Sequence, residues 1–127
     1  MWTPAIAIGI ESIDEQHRQL FDCLQQLQEA AEEQRAIYAV YAINRLQAYA
    51  REHFEEEEGL MRRAGYPDLG PHAAEHQAFR SRLRELANRA VFEDVSVDTV
   101  EFLRGWLTHH VSEVDPRYVP WVRPRSA

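Results

Sequence analysis

The chain has 127 residues, 45% hydrophobic and 28% charged, with 21 acidic residues against 14 basic ones and a net charge of -7. That supplies apolar material for one core and one domain, and it excludes a disordered chain. The acidic balance excludes non-specific nucleic-acid binding and docking on anionic lipid, and the single cysteine, Cys23, excludes an internal disulfide.

The first dozen residues read as an extended arm, because Pro4 and Gly9 oppose helix there. The apolar start is followed at once by acidic residues and lacks the basic opening of a signal peptide. No run reaches the length of a membrane span, so the expected compartment is the cytoplasm. Ser12 followed by Glu15 fits a capping box opening a first helix, with Ile13, Leu20, Phe21, Leu24, Leu27 and Ala31 as its apolar stripe. A second helix is predicted from about residue 36 to 64, with Leu46, Ala50, Leu60, Met61 and Ala64 on one face. Gly65 and Tyr66-Pro67 stop it. Gly70-Pro71 opens a third helix, whose stripe is Phe79, Leu83, Leu86 and Ala90. A short connection, Val91 to Val95, leads to a fourth helix capped by Ser96, with Val100, Leu103, Trp106, Leu107 and Val114 on its face. Pro116 ends it at or near Asp115. No segment alternates like a strand. Four amphipathic helices with short connections predict an all-α, up-down-up-down antiparallel bundle. The expected layout is an arm over about 1–12, a bundle over about 13–115 and a short tail over about 116–127.

The informative residues interrupt these stripes. His17 falls in the line of Ile13, Leu20 and Leu24; His53 and Glu57 continue Leu46 and Ala50; His72 and His76 lead into Phe79 and Leu83; His110 follows Leu103 and Trp106. A lone histidine on an apolar face is usually a core residue bonded to a carbonyl. Five of them with a carboxylate are different, because burying so many polar groups is costly unless each is paired, and a cation pairs all of them. The four-residue spacings of His53/Glu57 and His72/His76 put each pair on one helix face. In an antiparallel bundle all four sites fall at the same end. His109 lies about 100° round from His110 and reads as exposed. Glu55, Glu56 and Glu58 read as solvated, and Cys23 as a packed or partly exposed thiol rather than a ligand. Asp115 is left open by periodicity, since five residues from His110 is about 140° of rotation. It can turn inward if the helix tightens or ends there.

This ligand set exceeds a four-coordinate structural zinc site and suits two metals bridged by carboxylates. Ligand chemistry alone leaves zinc, copper, iron and nickel open. The Glu-x-x-His pairs of ferritin-like di-iron proteins, the zinc-protease motif, the P-loop and the dinucleotide fingerprint are all absent.

Taken together, Gly9-Ile10, Ile13-Asp14-Glu15-Gln16-His17, His53-Phe54-Glu55-Glu56-Glu57, Gly65-Tyr66-Pro67, His72-Ala73-Ala74-Glu75-His76 and Trp106-Leu107-Thr108-His109-His110 ending at Asp115 resemble the bacteriohemerythrins, the bacterial branch of the hemerythrin family. The resemblance spans about residues 2 to 118. It implies a non-haem di-iron centre that binds O₂ reversibly and holds it as hydroperoxide. His72, His76 and His110 would hold one iron, His17 and His53 the other, and Glu57 and Asp115 would bridge them beside an oxo or hydroxo oxygen. The family pattern is what adds Asp115 to the set. Pro116 departs from it, standing where the family usually has a charged or polar residue. Leu24, Phe54, Trp106, Leu107 and Val111 are candidates for an apolar wall round the open position, against the simpler alternative of core packing.

The expected function is oxygen storage or delivery, as a monomer serving an oxygen-consuming enzyme, with no turnover of its own. The alternatives are an oxygen or redox sensor, for which there is no room for a fused output domain, and a di-iron redox enzyme of the peroxidase or nitric-oxide-handling kind. The stripes offer the enzyme reading no inward acid or base beyond the seven ligands. Iron storage would need a cage or a mineral cavity, and neither is indicated.

Overall fold

The computed structural model describes residues 7–33 and 36–122. Four long helices account for most of them: α1 Glu11–Glu32, α2 Ala36–Ala64, α3 Leu69–Arg89 and α4 Ser96–His109. A π-helical turn His110–Val114, a 3₁₀ turn Asp115–Tyr118 and a single turn α5 Val119–Val122 follow. There is no strand among the described residues. Helix α1 packs on α2 and α4, and α2 packs on α3, as in an antiparallel up-down-up-down bundle. Residues 7–10 carry no regular element; the rest of the expected arm, 1–6, lies outside the described residues. No helix is long and apolar enough to cross a membrane, among the described residues.

The ends of the helices depart in detail from the sequence reading. The Ser12–Glu15 capping box does not form. Helix α1 already begins at Glu11, after Ile10, with no side-chain cap, so Ser12 lies inside the first turn. The buried Asp14 carboxylate reaches back instead, accepting the N–H of Ile8 (2.8 Å) and of Gly9 (3.1 Å), with Gly9 at a φ of 83°. An anion there also meets the positive end of the helix. Ser96 is likewise inside α4 rather than capping it. Asp94 takes the bonds, accepting the Ser96 N–H at 2.9 Å and its hydroxyl at 2.5 Å, which holds the Asp94 carboxyl below its usual range. Helix α2 ends as its glycine suggests. Gly65 has a φ of 72°, its N–H bonds the Arg62 carbonyl, and the Tyr66 N–H bonds the Met61 carbonyl. Met61 and Tyr66 also pack in one apolar cluster, which completes a Schellman stop.

The core has three parts. The main one fills the middle of the bundle, from Leu20, Leu24 and Leu27 on α1 to Leu103, Leu107 and Val111. A second, built on Ile43, Leu86 and Val95, closes the end that carries the α3–α4 connection. The third joins Ile8, Ile13, Met61, Tyr66 and Tyr118, with Val119 and Val122 against it, and closes the opposite end. Both extremities of the described chain therefore contribute to one cap. The polar residues on the stripes lie between that cap and the main core.

Candidate metal centre

His17, His53, Glu57, His72, His76, His110 and Asp115 are all buried, none more than 3% exposed. All seven residues singled out in the sequence come together in one layer. They form two groups whose ligand atoms lie within 4.8 Å of one another: Glu57, His72, His76, His110 and Asp115 in one, His17, His53, Glu57 and Asp115 in the other. The two carboxylates belong to both. Glu57 presents Oε1 to the Nε2 atoms of His72 (3.0 Å) and His76 (2.9 Å), and Oε2 to those of His53 (3.7 Å) and His17 (4.0 Å). Asp115 presents Oδ1 to His72 (3.0 Å) and His110 (2.9 Å), and Oδ2 to His17 (3.0 Å). Each carboxylate thus divides its oxygens between the two histidine groups.

Asp115 reaches this position by a different route from the one anticipated. The helix neither tightens nor ends after His110; it widens. The Asp115 N–H bonds the His110 carbonyl, five residues back, which closes one π turn and brings Asp115 round to the His110 face. Pro116 supplies the physical reason. It has no N–H to donate to the Ser112 carbonyl and its ring crowds that oxygen, so regular α register cannot run through this point. The chain then continues as a 3₁₀ turn and α5, beyond where the sequence reading stops the helix.

The electrostatics are those of a site built for cations. Burial favours neutral forms, and it lowers His53 to about 4. It would lower His72 and His110 too, but the Asp115 and Glu57 carboxylates beside them prevail, raising His72 to about 9 and His110 to about 10. Burial works against ionising Glu57 and Asp115 as well, and the surrounding imidazoles still hold both well below the usual carboxylate range. Even so, pairing is incomplete: both nitrogens of His17, Nδ1 of His72 and both oxygens of Asp115 are buried without a hydrogen-bond partner. The Asp115 oxygens stand close to three imidazole nitrogens yet are not aligned to bond any of them. Ligands aimed at a common ion have this disposition, and bare buried polar groups are costly without one.

The outer faces of the imidazoles are held by residues that the sequence reading passed over. His53 Nδ1 donates to Gln16 Oε1 (2.6 Å), whose amide in turn donates to Glu56. His76 Nδ1 donates to Glu58 (2.8 Å), and His110 Nδ1 to Glu75 (3.1 Å). Each bond fixes the tautomer that leaves Nε2 as a lone pair facing inward. Glu56 and Glu58 are therefore not merely solvated. The other omission is Tyr118, fully buried, whose hydroxyl donates to Glu57 Oε2 at 2.9 Å. It is an inward acid that the helix stripes did not reveal, because it follows Pro116. Its spacing three residues after Asp115 was the available signal. Burial, then the nearby Glu57 and Asp115, raises its pKa far above the ordinary phenol value. His109 is exposed and bonds Glu113 at 2.7 Å, and Cys23 is buried in the main core.

Leu24, Phe54, Leu107 and Val111 are buried in the apolar cluster beneath the layer, with Trp106 half-buried against it. Phe54 stacks on His76 with centroids 3.8 Å apart, and Trp106 stacks on His110 at 4.2 Å. Trp106 thus lies on the three-histidine side of the layer.

The family model described as the hemerythrin HHE cation binding domain matches residues 8–122. The chain belongs to the hemerythrin family. Among similar proteins of that family are the bacteriohemerythrin of Stenotrophomonas maltophilia, 32% identical over 97% of this chain and 81% of its own length, and that of Methylococcus capsulatus, 31% identical over 94% and 93%. The myohemerythrin of Sipunculus nudus is 26% identical over 93% of this chain and 89% of its own. A wild-type hemerythrin crystal structure matches with a TM-score of 0.88 at 30% identity, covering 96% of each chain. Forms of a hemerythrin with one leucine replaced by alanine or tyrosine match with the same score. Hemerythrin membership, the bundle and the His/Glu/Asp layer all agree with a di-iron centre.

Proposed function

We propose that the chain binds dioxygen reversibly at a non-haem di-iron centre, as an oxygen store or as a carrier serving an oxygen-consuming enzyme, in the cytoplasm and without turnover. The observation that supports this most is the division of the Glu57 and Asp115 oxygens between two histidine groups. His72, His76 and His110 would hold one ion, His17 and His53 the other, and the two carboxylates would be shared. Two ferrous ions would supply the electrons that retain O₂ and recover them on its release. The side with two histidines has one protein ligand fewer, which leaves a position for the gas.

The chain's own residues would do the rest. Gln16, Glu58 and Glu75 orient His53, His76 and His110. Leu24, Phe54, Leu107 and Val111, with Trp106 over His110, would exclude water and so slow oxidation of the centre. Tyr118 gives its hydrogen bond to Glu57 and so steadies a shared ligand.

The test is the optical spectrum of reduced, iron-loaded protein through repeated cycles of air and argon, with a hydrogen-peroxide assay alongside. Recovery of the ferrous form in each cycle is the expected result. Stoichiometric peroxide in the first cycle, with no recovery, would overturn the carrier reading.

A further inference from the structure

Three oxidisable aromatic residues run from the metal layer to the surface. Tyr118 is fully buried, with its hydroxyl 2.9 Å from Glu57 Oε2. Its ring meets that of Tyr66, 8% exposed, edge-on with centroids 6.3 Å apart. The Tyr66 ring meets that of Trp121 in the same manner at 6.2 Å, and Trp121 is 51% exposed. Burial falls at each step. Trp106, stacked on His110 and half-buried, is a single oxidisable ring at the ligands themselves, with Phe54 and Phe79 as its other ring neighbours.

We propose that Tyr118, Tyr66 and Trp121 form an escape path for oxidising equivalents, protecting the metal ligands when peroxide reacts at the centre. The idea rests on the di-iron reading above. Hydrogen peroxide reacting at an already oxidised centre takes two electrons and two protons to leave as two waters. Without another donor, the electrons come from the ligands themselves. With the path, each electron that reduces the peroxide comes from Tyr118, whose O–H proton shifts along its hydrogen bond toward Glu57 Oε2 while the ring is oxidised. Tyr66 refills Tyr118, and the proton returns from Glu57 to the Tyr118 oxygen. Tyr66 releases its own phenol proton to solvent and regains it when Trp121 passes it an electron. The oxidised indole is then reduced at the surface by a soluble one-electron donor such as a thiol or ascorbate, and the S–H or O–H protons that two such donations release balance the two protons consumed.

Two experiments on the full chain decide it. In the first, the zinc-loaded protein, whose metal is redox-silent, is photo-oxidised by ruthenium tris-bipyridine with a sacrificial acceptor, then frozen for electron paramagnetic resonance. The complex cannot reach the buried Tyr118. A tyrosyl signal that falls severalfold in Tyr118→Phe, and likewise in both Tyr66→Phe and Trp121→Phe, above the background of exposed Tyr38 and Tyr41 is expected. A signal indifferent to these changes would sit on exposed tyrosines and would overturn the path. In the second, iron-loaded protein is treated with hydrogen peroxide and its oxidised residues are located by peptide mass spectrometry. Oxidation should collect on Trp121 and move severalfold toward His76, His110 and Trp106 in Tyr66→Phe, a change that touches neither end of the path. Trp121 oxidation equal in Tyr66→Phe, or equal in the zinc form, would mean attack from solvent and would refute the proposal. The first experiment needs no iron, so a failure of the path is distinguishable from a failure of the di-iron reading.

Discussion

Glu57 and Asp115 each turn one oxygen toward either histidine group, so neither can be lost at the expense of one ion alone. Glu57→Ala or Asp115→Ala should reduce iron per chain, measured by metal analysis, to a small fraction of wild type. His109→Ala should leave it unchanged, because that imidazole is exposed and bonded to Glu113. An unaltered iron content in Asp115→Ala would remove it from the ligand set. Glu58→Gln should be milder: it exchanges the carboxylate behind His76 for an amide, and such partners typically change metal affinity by about 10–100-fold. Competition with a chelator reads this directly. Leu107, fully buried in the main core beneath the layer, tests the apolar wall. Leu107→Ala should cost about 2–5 kcal/mol in denaturant unfolding and leave room for water. The oxygenated form should then decay to the ferric state severalfold faster, and an unchanged decay rate would take Leu107 out of the wall.

At the scale of the helices, termination at Gly65 has a definite cost to measure. A Cβ there would meet nothing within 4 Å, so Gly65→Ala faces only the strain of a left-handed backbone. It should lower stability by about 1–2 kcal/mol and leave iron content intact; a larger loss, or loss of iron, would show that the α2–α3 connection positions His72. The four helices were legible in the sequence because their apolar residues recur with the helical period and because Gly65 and the prolines punctuate them. Their starts were less so. A capping box and an internal Ser12–Glu15 pair look alike in sequence, and what decided between them was Asp14, whose bonds go outward to Ile8 and Gly9. The π turn was not legible at all. An ideal α-helix carries Asp115 well away from the His110 face, and only the clash of Pro116 with the preceding turn explains why the register slips by one residue.

Across the whole molecule, the metal-free protein should betray its site through pH. His53 has its folded value lowered from 6.5 to about 4, so the unfolded chain binds more protons between those limits and stability rises with pH there. His72 and His110 have theirs raised from 6.5 to about 9 and 10; the stability they contribute is fully present below 6.5 and is lost as pH climbs through those values. The depressed Glu57 and Asp115 add loss at the acid end. Thermal unfolding of metal-free protein should therefore be most resistant near pH 6.5 and weaken on both sides. Iron, which displaces the protons on His72 and His110, should raise the melting temperature most on the alkaline side. A flat profile would mean that these groups do not share one buried layer. The site was legible to the extent that ligands lie on helix stripes: six of the seven interrupt an apolar period, and the seventh needed the family pattern. Gln16 and Glu75 were passed over, and Glu56 and Glu58 read as solvated, because an outward residue bonded to the back of an imidazole leaves no mark on periodicity. Tyr118 escaped because it follows the proline that seemed to end the structure.

The cap over the metal layer has a topological corollary. Ala7 and Ile8 line the same shallow cavity as Pro116, Val119 and Pro120, so the two extremities of the described chain lie side by side. Joining them with a short linker would not require the chain to cross the bundle. The connection at the opposite end, with Phe92 89% exposed, is where such a ring could be reopened. A circular permutant cut there would keep every helix, every ligand and the order of neighbours round the bundle. It would also tie the two segments that form the cap into one continuous length of chain, so that neither could lift from the metal layer without the other.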